Sequence, residues 1–306
     1  MAMARCTFII LLMLLACARA LAVGCAPHGV QVQVLGSGGP IADDARASSG
    51  YLLWVDGRAR VLVDVGGGSF LRFGEAGARI EDLDLIALTH LHADHAADLP
   101  TLVKSGYFSD RTRPLSLSGP AAGADFPGLA DFLSALFGAE HGAFRYLSGA
   151  LDGSAGLFRL QAIELATDKS RPQRLASVDG LKIDAIGVSH GPVPALAYRI
   201  TVRGLRFVFG GDQNGRDPAF WRMAKSANLL VMGLPIPEDA DPVARRLHAT
   251  PSLIAAGAAG AGVRQLLLSH LMARSLSGLP QHLALIQHSY PGLVRVAQDL
   301  GCYAGQ

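Results

Sequence analysis

His90, Leu91, His92, Ala93, Asp94 and His95 place four metal-competent side chains in one short segment. Imidazole nitrogen and carboxylate oxygen suit Zn²⁺ and related first-row ions, and a catalytic metal keeps about three protein ligands so that water retains a position. This segment offers more ligands than one open site needs. Alternate residues of an extended turn point the same way, so His90 and His92 share one ion while Asp94 and His95 reach a second. The spacing therefore predicts two metals.

Three residues downstream extend the pattern. Ile183 to Ser189 reads as a strand that delivers His190, and Gly191-Pro192-Val193-Pro194 ends it. Leu205 to Phe209 is a short apolar strand, after which Gly210-Gly211 permits a tight turn presenting Asp212, a carboxylate able to bridge two cations. Gln265 to Ser269 is a buried-strand pattern ending at His270. With the run Leu83 to Thr89 ahead of His90, a strand followed by a ligand occurs four times. A chance histidine-rich loop would not be followed by such a series.

The set resembles the metallo-β-lactamase superfamily, whose HxHxDH, His, Asp and His each stand at a strand end, and the match runs from about Val30 to the C-terminus. The resemblance implies an α/β fold, the four-layer αββα sandwich. It also implies a first metal on His90, His92 and His190, a second on Asp94, His95 and His270, and Asp212 joining them. The cofactors would be two Zn²⁺, with Mn²⁺ or Fe²⁺ as alternatives, and the chemistry ester hydrolysis by a metal-bridging hydroxide that Asp94 and Asp212 orient. Leu62-Val63-Asp64-Val65-Gly66 is similar to the family's early strand ending in Asp-x-Gly. Asp64 is then either a carboxylate behind the ligands or a buried cap on a turn.

Branches of the superfamily differ at these positions. True β-lactamases do not place a bridging carboxylate where this chain has Asp212, and oxygen-reducing di-iron relatives have Glu where it has His92. The chain is most similar to the ribonuclease Z, arylsulfatase and cyclic-nucleotide phosphodiesterase branch, which carries a His before the final strand, matched by His248 in Leu247-His248-Ala249-Thr250-Pro251. His248 is either a catalytic proton donor or oxyanion stabiliser, or a surface residue flanking a helix. Ribonuclease Z carries its tRNA-gripping arm between the third metal motif and the bridging Asp, yet His190 and Asp212 are here separated by little more than a hairpin. The expected substrate is therefore a small ester, phosphodiester or sulfate ester first and lactone or thioester as alternatives, with nucleic acid disfavoured. A periplasmic metal-binding protein without turnover is the reading from a different class.

The apolar runs organise these residues. Strands are predicted at Val30 to Leu35, Tyr51 to Val55, Arg60 to Val65 and Leu83 to Thr89, then at Leu181 to Ser189, Ala197 to Val202, Leu205 to Phe209, Leu229 to Met232 and Gln265 to Ser269. Helices are predicted near Asp217 to Lys225, Pro251 to Ala259 and Pro280 to His288. Residues 100–179 lie between the halves as a substrate-shaping insertion, with a strand at Pro114 to Ser118, a helix near Phe126 to Phe137 and a hairpin around Leu157 to Glu164. Half of the 306 residues are hydrophobic, enough for one large domain at 23–306. Gly36-Ser37-Gly38-Gly39-Pro40 lacks the lysine of a phosphate-cradling loop and reads as tight turns.

Residues 1–22 read as a signal peptide: Arg5 precedes the apolar run Cys6 to Ala18, and Ala18-Arg19-Ala20 or Ala20-Leu21-Ala22 supplies the small-x-small cleavage site. Arg19 ends the run too early for a membrane span. Leu14-Leu15-Ala16-Cys17 partly matches a lipoprotein cleavage box, so a lipid anchor at Cys17 is the alternative. The protein is then secreted or periplasmic. Its remaining cysteines, Cys25 and Cys302, are expected to pair in a compartment that permits disulfides. Lys and Arg number 27 against 25 Asp and Glu, and Arg5 and Arg19 leave with the leader, so the exported domain is neutral. No broad basic footprint for nucleic acid is evident. Arg111-Thr112-Arg113 and Arg245-Arg246 are either solvated charges or grips for an anionic substrate.

Overall fold

The computed structural model describes residues 24–175 and 179–305. The expected leader, residues 1–22, and Cys17 lie outside the described residues.

The first sheet contains β1 (Val30–Gly36), β2 (Gly50–Val55), β3 (Arg58–Val65), β4 (Leu85–Ala87), β5 (Leu115–Pro120) and β6 (Leu160–Leu165). The second contains β7 (Gln173–Arg174), β8 (Lys182–His190), β9 (Val193–Val202), β10 (Leu205–Phe209), β11 (Leu229–Gly233), β12 (Gln265–Ser269) and β13 (Leu293–Val296). The chain then returns through β14 (Cys302–Ala304) to the edge of the first sheet, whose order is β14-β1-β2-β3-β4-β5-β6. The second sheet runs β13-β12-β11-β10-β9-β8-β7.

Side-chain alternation explains the layers. On β3, Val61 and Val63 enter the core between the sheets while Leu62 enters a separate outer core, and register shifts against β2 at each end turn Ala59 and Val65 to that outer side as well. That outer core is closed by Phe73, Leu102, Leu133 and Phe137 from helices Ser69–Glu75, Leu99–Ser105 and Leu129–Phe137. On β12, Leu267 faces inward, and Leu266 and Leu268 face outward onto Phe220, Ile254 and Ile286 of helices Pro218–Met223, Pro251–Gly260 and Leu279–Ser289. Each such leucine, wholly removed from water, contributes roughly 1.5–3 kcal/mol. Helix, sheet, sheet, helix is the resulting order of layers, the predicted αββα sandwich.

Two corrections follow from the pairing of β5 and β6. Residues around Leu157 to Glu164 form no hairpin: β6 runs parallel to β5, Leu115 opposite Leu160 through Pro120 opposite Leu165. A parallel pair requires a crossover, and helices Leu129–Phe137 and Gly149–Asp152 supply it. Residues 100–179 thus contribute two strands of the first sheet and are not a simple insertion between halves. The helix expected from Phe126 begins at Leu129, after Pro127-Gly128.

The sheets are stitched where the presumed ligands emerge. Leu196 N donates to Thr89 O at 2.8 Å and Leu271 N to Ser37 O at 2.8 Å, each joining backbone of one half to the other. The buried Tyr198 hydroxyl donates to Leu88 O and accepts from Ser118 Oγ, both at 3.1 Å. Cys25 and Cys302 form a disulfide with Cα atoms 5.7 Å apart, fastening the start of the described chain to β14.

Candidate metal centre

All seven presumed ligands leave the carboxyl ends of strands at one rim of the sandwich. His90 follows β4 after two residues, His190 ends β8, Asp212 follows β10, and His270 follows β12. In open α/β sheets, the crevice outside the carboxyl ends of the strands is where ligands bind. Close packing at the rim restricts two glycines. A Cβ on Gly66 would lie 2.1 Å from Asp94 O, and Gly211 holds φ +59 with a would-be Cβ 2.8 Å from Leu196 O. The Gly211 turn is what aims Asp212 inward.

The side chains gather into overlapping groups. His90, His92 and His190 bring ligand atoms within 4.8 Å of one another, and so do Asp94, His95 and His270. These two groups coincide with the trios expected from the sequence, and the same side chains also group as His90, His95 and Asp212 and as His190, Asp212 and His248. Asp212 lies between them, with Oδ1 3.7 Å from His95 Nε2, and Oδ2 3.8 Å from His190 Nε2 and 3.4 Å from His270 Nε2. His248 is buried rather than at the surface, its Nδ1 3.8 Å from Asp212 Oδ2 and its ring centroid 5.2 Å from that of His190.

The surroundings orient individual nitrogens. Asp64 is buried and accepts three hydrogen bonds: from Thr89 N at 2.7 Å, Thr89 Oγ1 at 2.8 Å and His95 Nδ1 at 2.8 Å. It is therefore a carboxylate behind the ligands as well as a holder of the turn before His90. His190 Nδ1 donates to Leu247 O at 2.9 Å. With their Nδ1 protons engaged, His95 and His190 turn Nε2 inward, and both Nε2 atoms are buried without a hydrogen-bond partner. Buried polar atoms normally find partners. Two unpartnered imidazole nitrogens aimed among carboxylates fit metal ions, and the set of five ligand imidazoles with Asp94 and Asp212 is large enough for two.

Ionisation follows the same crowding. Burial pushes the His90 imidazole well below its usual range, with the charge of His95 acting in the same direction. Burial opposes charge on Asp212 too, but His270, His95, His248 and His190 outweigh it and hold the carboxyl well below the usual carboxylate range. His95 is likewise disfavoured by burial, yet Asp64, Asp212 and Asp94 raise it to about 9. Burial drives His248 down to about 4.

Three contributors carry no signal that the sequence reading used. Thr89 links Asp64 to the ligand loop, the Leu247 carbonyl orients His190, and Phe126 lies with its ring centroid 6.4 Å from that of His92. Phe126, Leu91, Phe132, Val193 and Pro194 line an apolar cavity of about 60 Å³ beside His92.

Known proteins share this architecture. The chain is 29% identical over 286 residues to ribonuclease Z of Mycobacterium avium, covering 89% of this chain and 96% of that protein. The metallo-beta-lactamase fold protein YhfI from Bacillus subtilis superposes with a TM-score of 0.68 at 24% identity, over 90% of this chain and 98% of that one. Human tRNase Z, short form, gives 0.70 at 19% identity over 90% and 99%. The beta-lactamase superfamily domain matches residues 59–271, which span Asp64 and all seven presumed ligands. By that match, and by the fold and donor set described above, the chain belongs to the metallo-β-lactamase superfamily and is a metal-dependent hydrolase.

Proposed function

We propose that the protein is an exported binuclear zinc hydrolase that cleaves a small phosphodiester. The observation that carries this reading is the pair of ligand trios with Asp212 between them, its carboxylate facing two unpartnered Nε2 atoms. Similarity to a ribonuclease supports a phosphodiester as the bond cleaved. Imidazole at His92, where the resemblance gives di-iron relatives a Glu, favours zinc. A small substrate is favoured over folded RNA because β9, β10 and their turns occupy the chain between His190 and Asp212, leaving no arm there. The Cys25–Cys302 disulfide supports export, since such bonds persist in oxidising compartments.

His90, His92 and His190 would hold one zinc ion and Asp94, His95 and His270 the other, with Asp212 shared. Bound zinc supplies a water of lowered pKa and positive charge against the anionic transition state. The protein's own groups do the rest. Asp64 and the Leu247 carbonyl keep His95 and His190 in the tautomer that presents Nε2. Asp94 and Asp212, both ionised, orient the attacking water. His248, neutral at pH 7, presents an N–H that stabilises the leaving oxygen. Residues 100–179 shape substrate choice through Phe126 and the apolar cavity beside His92, which takes a small apolar group next to the scissile bond.

Zinc-loaded protein assayed in parallel on bis(p-nitrophenyl) phosphate, p-nitrophenyl sulfate, a lactone, a thioester and precursor tRNA tests this. Phosphodiester turnover should dominate and disappear in Asp212→Ala with unchanged circular dichroism. Faster cleavage of the tRNA, the sulfate or either acyl substrate overturns the substrate class. Two equivalents of bound metal without any turnover would establish a non-catalytic metal-binding protein. Intact mass of the exported protein separates cleavage after Ala20 or Ala22 from a diacylated Cys17, and an uncleaved cytoplasmic chain removes export.

A further inference from the structure

The run Gly36-Ser37-Gly38-Gly39-Pro40, which the sequence marks only as a place for tight turns, lies against the metal centre. Gly39 is buried, and a Cβ there would lie 2.8 Å from His270 Cε1 and 3.1 Å from His270 Nδ1. The main chain at Gly39 thus comes so close to the imidazole that no side chain fits between them. His270 needs such a neighbour. Asp64 and the Leu247 carbonyl hold Nδ1 of His95 and His190, whereas His270 Nδ1 is buried without a hydrogen-bond partner among the described residues. Its Nε2 lies 3.1 Å from Asp94 Oδ2 and 3.4 Å from Asp212 Oδ2. A ligating histidine usually donates its other N–H to a group that fixes the ring. At His270, packing takes that role.

The loop that carries Gly39 is tied down from a distant part of the chain. Asp299, between β13 and β14, accepts from Ser37 N at 3.0 Å and Ser37 Oγ at 2.7 Å through Oδ1, and from Ala47 N at 2.9 Å through Oδ2. One carboxylate therefore grips both ends of the loop. Arg46 Nη1 donates to Ser37 Oγ at 2.6 Å, and Arg72 Nε stands 3.7 Å from Asp299 Oδ2. Inside the loop, Gly38 N donates to Ala47 O and Ser48 Oγ to Gly39 O, both at 2.9 Å. Ser37 O then receives the N–H of Leu271, the residue after His270. Hydrogen bonds and packing run without a break from Asp299 to the ligand.

We propose that Asp299 and Gly39 are positioning residues for the metal centre, Asp299 by fixing the loop and Gly39 by bracing His270 so that Nε2 stays aimed at Asp94 and Asp212. The consequence drawn for metal rests on the binuclear reading above: the ion assigned to Asp94, His95 and His270 is the one affected. A methyl group at position 39 forces the ring to move, because the close atoms belong to the imidazole itself, and Nε2 moves with it. Loss of the Asp299 carboxylate removes three charge-assisted bonds at once and lets the loop retreat from the ring.

Two measurements test the brace on Gly39→Ala, Asp299→Ala and Asp299→Asn, with Leu133→Ala, a cavity in the outer core outside this loop, as the control. In the first, imidazole NMR signals are recorded on metal-free protein labelled with ¹⁵N-histidine. The His270 signals should move in both alanine variants at positions 39 and 299 while those of His190 stay in place. Unmoved His270 signals overturn the assignment, whatever metal the protein binds. In the second, zinc competition against a chromophoric chelator should show one site weakened about tenfold or more in the same two variants and the other near wild-type affinity. Asp299→Asn, which keeps an accepting oxygen for Ser37, should recover most of the loss. Leu133→Ala should melt lower with both affinities intact. Wild-type affinities in the two alanine variants, or the same one-site loss in Leu133→Ala, would reduce Asp299 and Gly39 to general stability and remove the proposal. A single zinc equivalent in the wild type refutes only the binuclear reading, since the ring signals test the brace without metal.

Discussion

Asp64→Asn should weaken metal binding although Asp64 touches no metal. The carboxylate accepts three hydrogen bonds, from Thr89 N, Thr89 Oγ1 and His95 Nδ1. Asparagine has one accepting oxygen and one donating amide. If its oxygen faces Thr89 N, the amide confronts His95 Nδ1–H, and the imidazole relieves the clash by moving its proton to Nε2, the atom that must ligate. If the amide is flipped, the buried Thr89 N–H loses its acceptor instead. An unpaired buried donor costs about 1–3 kcal/mol, and disturbing the group that orients a ligating histidine typically costs about 10–100-fold in metal affinity. At 1.4 kcal/mol per tenfold these figures agree in size. The loss should fall on one ion, since His95 belongs to the trio with Asp94 and His270. Zinc competition against a chromophoric chelator should show one site near wild-type affinity and one weakened, and the metal-free variant should melt about 5 °C lower. Two wild-type affinities, or equal weakening of both, would refute the tautomer argument.

Further outcomes follow from other contacts. Cys302→Ser opens a bridge between residues 277 apart; the chain-entropy estimate for so long a loop is about 5.6 kcal/mol, an upper figure, and reductant should lower the wild-type unfolding free energy by as much as the substitution does without altering the variant. Each trio takes ligands from both sheets, so zinc clamps the halves together, and free zinc at about 100 times Kd should add about 2.7 kcal/mol per site to unfolding, measured by denaturant titration with and without chelator. His248 has a folded pKa near 4, below the usual 6.5. Its neutral burial is therefore favourable above pH 6.5 and is lost as pH falls from 6.5 towards 4, where the unfolded chain binds the extra proton. Metal-free His248→Asn should lose part of that acid sensitivity in melting experiments between these values. An unchanged pH profile would contradict the burial of His248.

The ligands were legible because each closes an apolar run bounded by glycine or by the histidine itself, as at Leu205 to Asp212. The pairing of the strands was less so. β13 and β14 have alternately exposed residues and only three or four positions each, too few for a period to register. β6 was misread because a hairpin and a parallel crossover strand present the same local pattern; what separates them is the partner, β5, some forty residues earlier. The orientation of His190 rests on the Leu247 carbonyl, and a backbone acceptor leaves no trace in residue type. His248 kept two readings in the sequence because only the fold decides whether the turn after Leu247 faces solvent or Asp212.

The rim that holds the ligands is not a relaxed structure. Asp64 and His270 adopt φ of +58 and +50, and Gly211 adopts +59. Left-handed backbone at residues other than glycine costs on the order of 1–3 kcal/mol each and persists only when surroundings enforce it. Here the enforcement is visible: the Leu196–Thr89 and Leu271–Ser37 backbone bonds lie immediately beside these turns, and each ties one sheet to the other. Asp64 itself bonds Thr89, the residue whose carbonyl receives the first of those bonds. The three layers of apolar packing thus supply the rigidity, and the strain they offset is concentrated at the residues that aim Asp212, His95 and His270. A sandwich of looser core would let those turns relax, and the nitrogens that now converge on Asp212 would separate before any metal arrived.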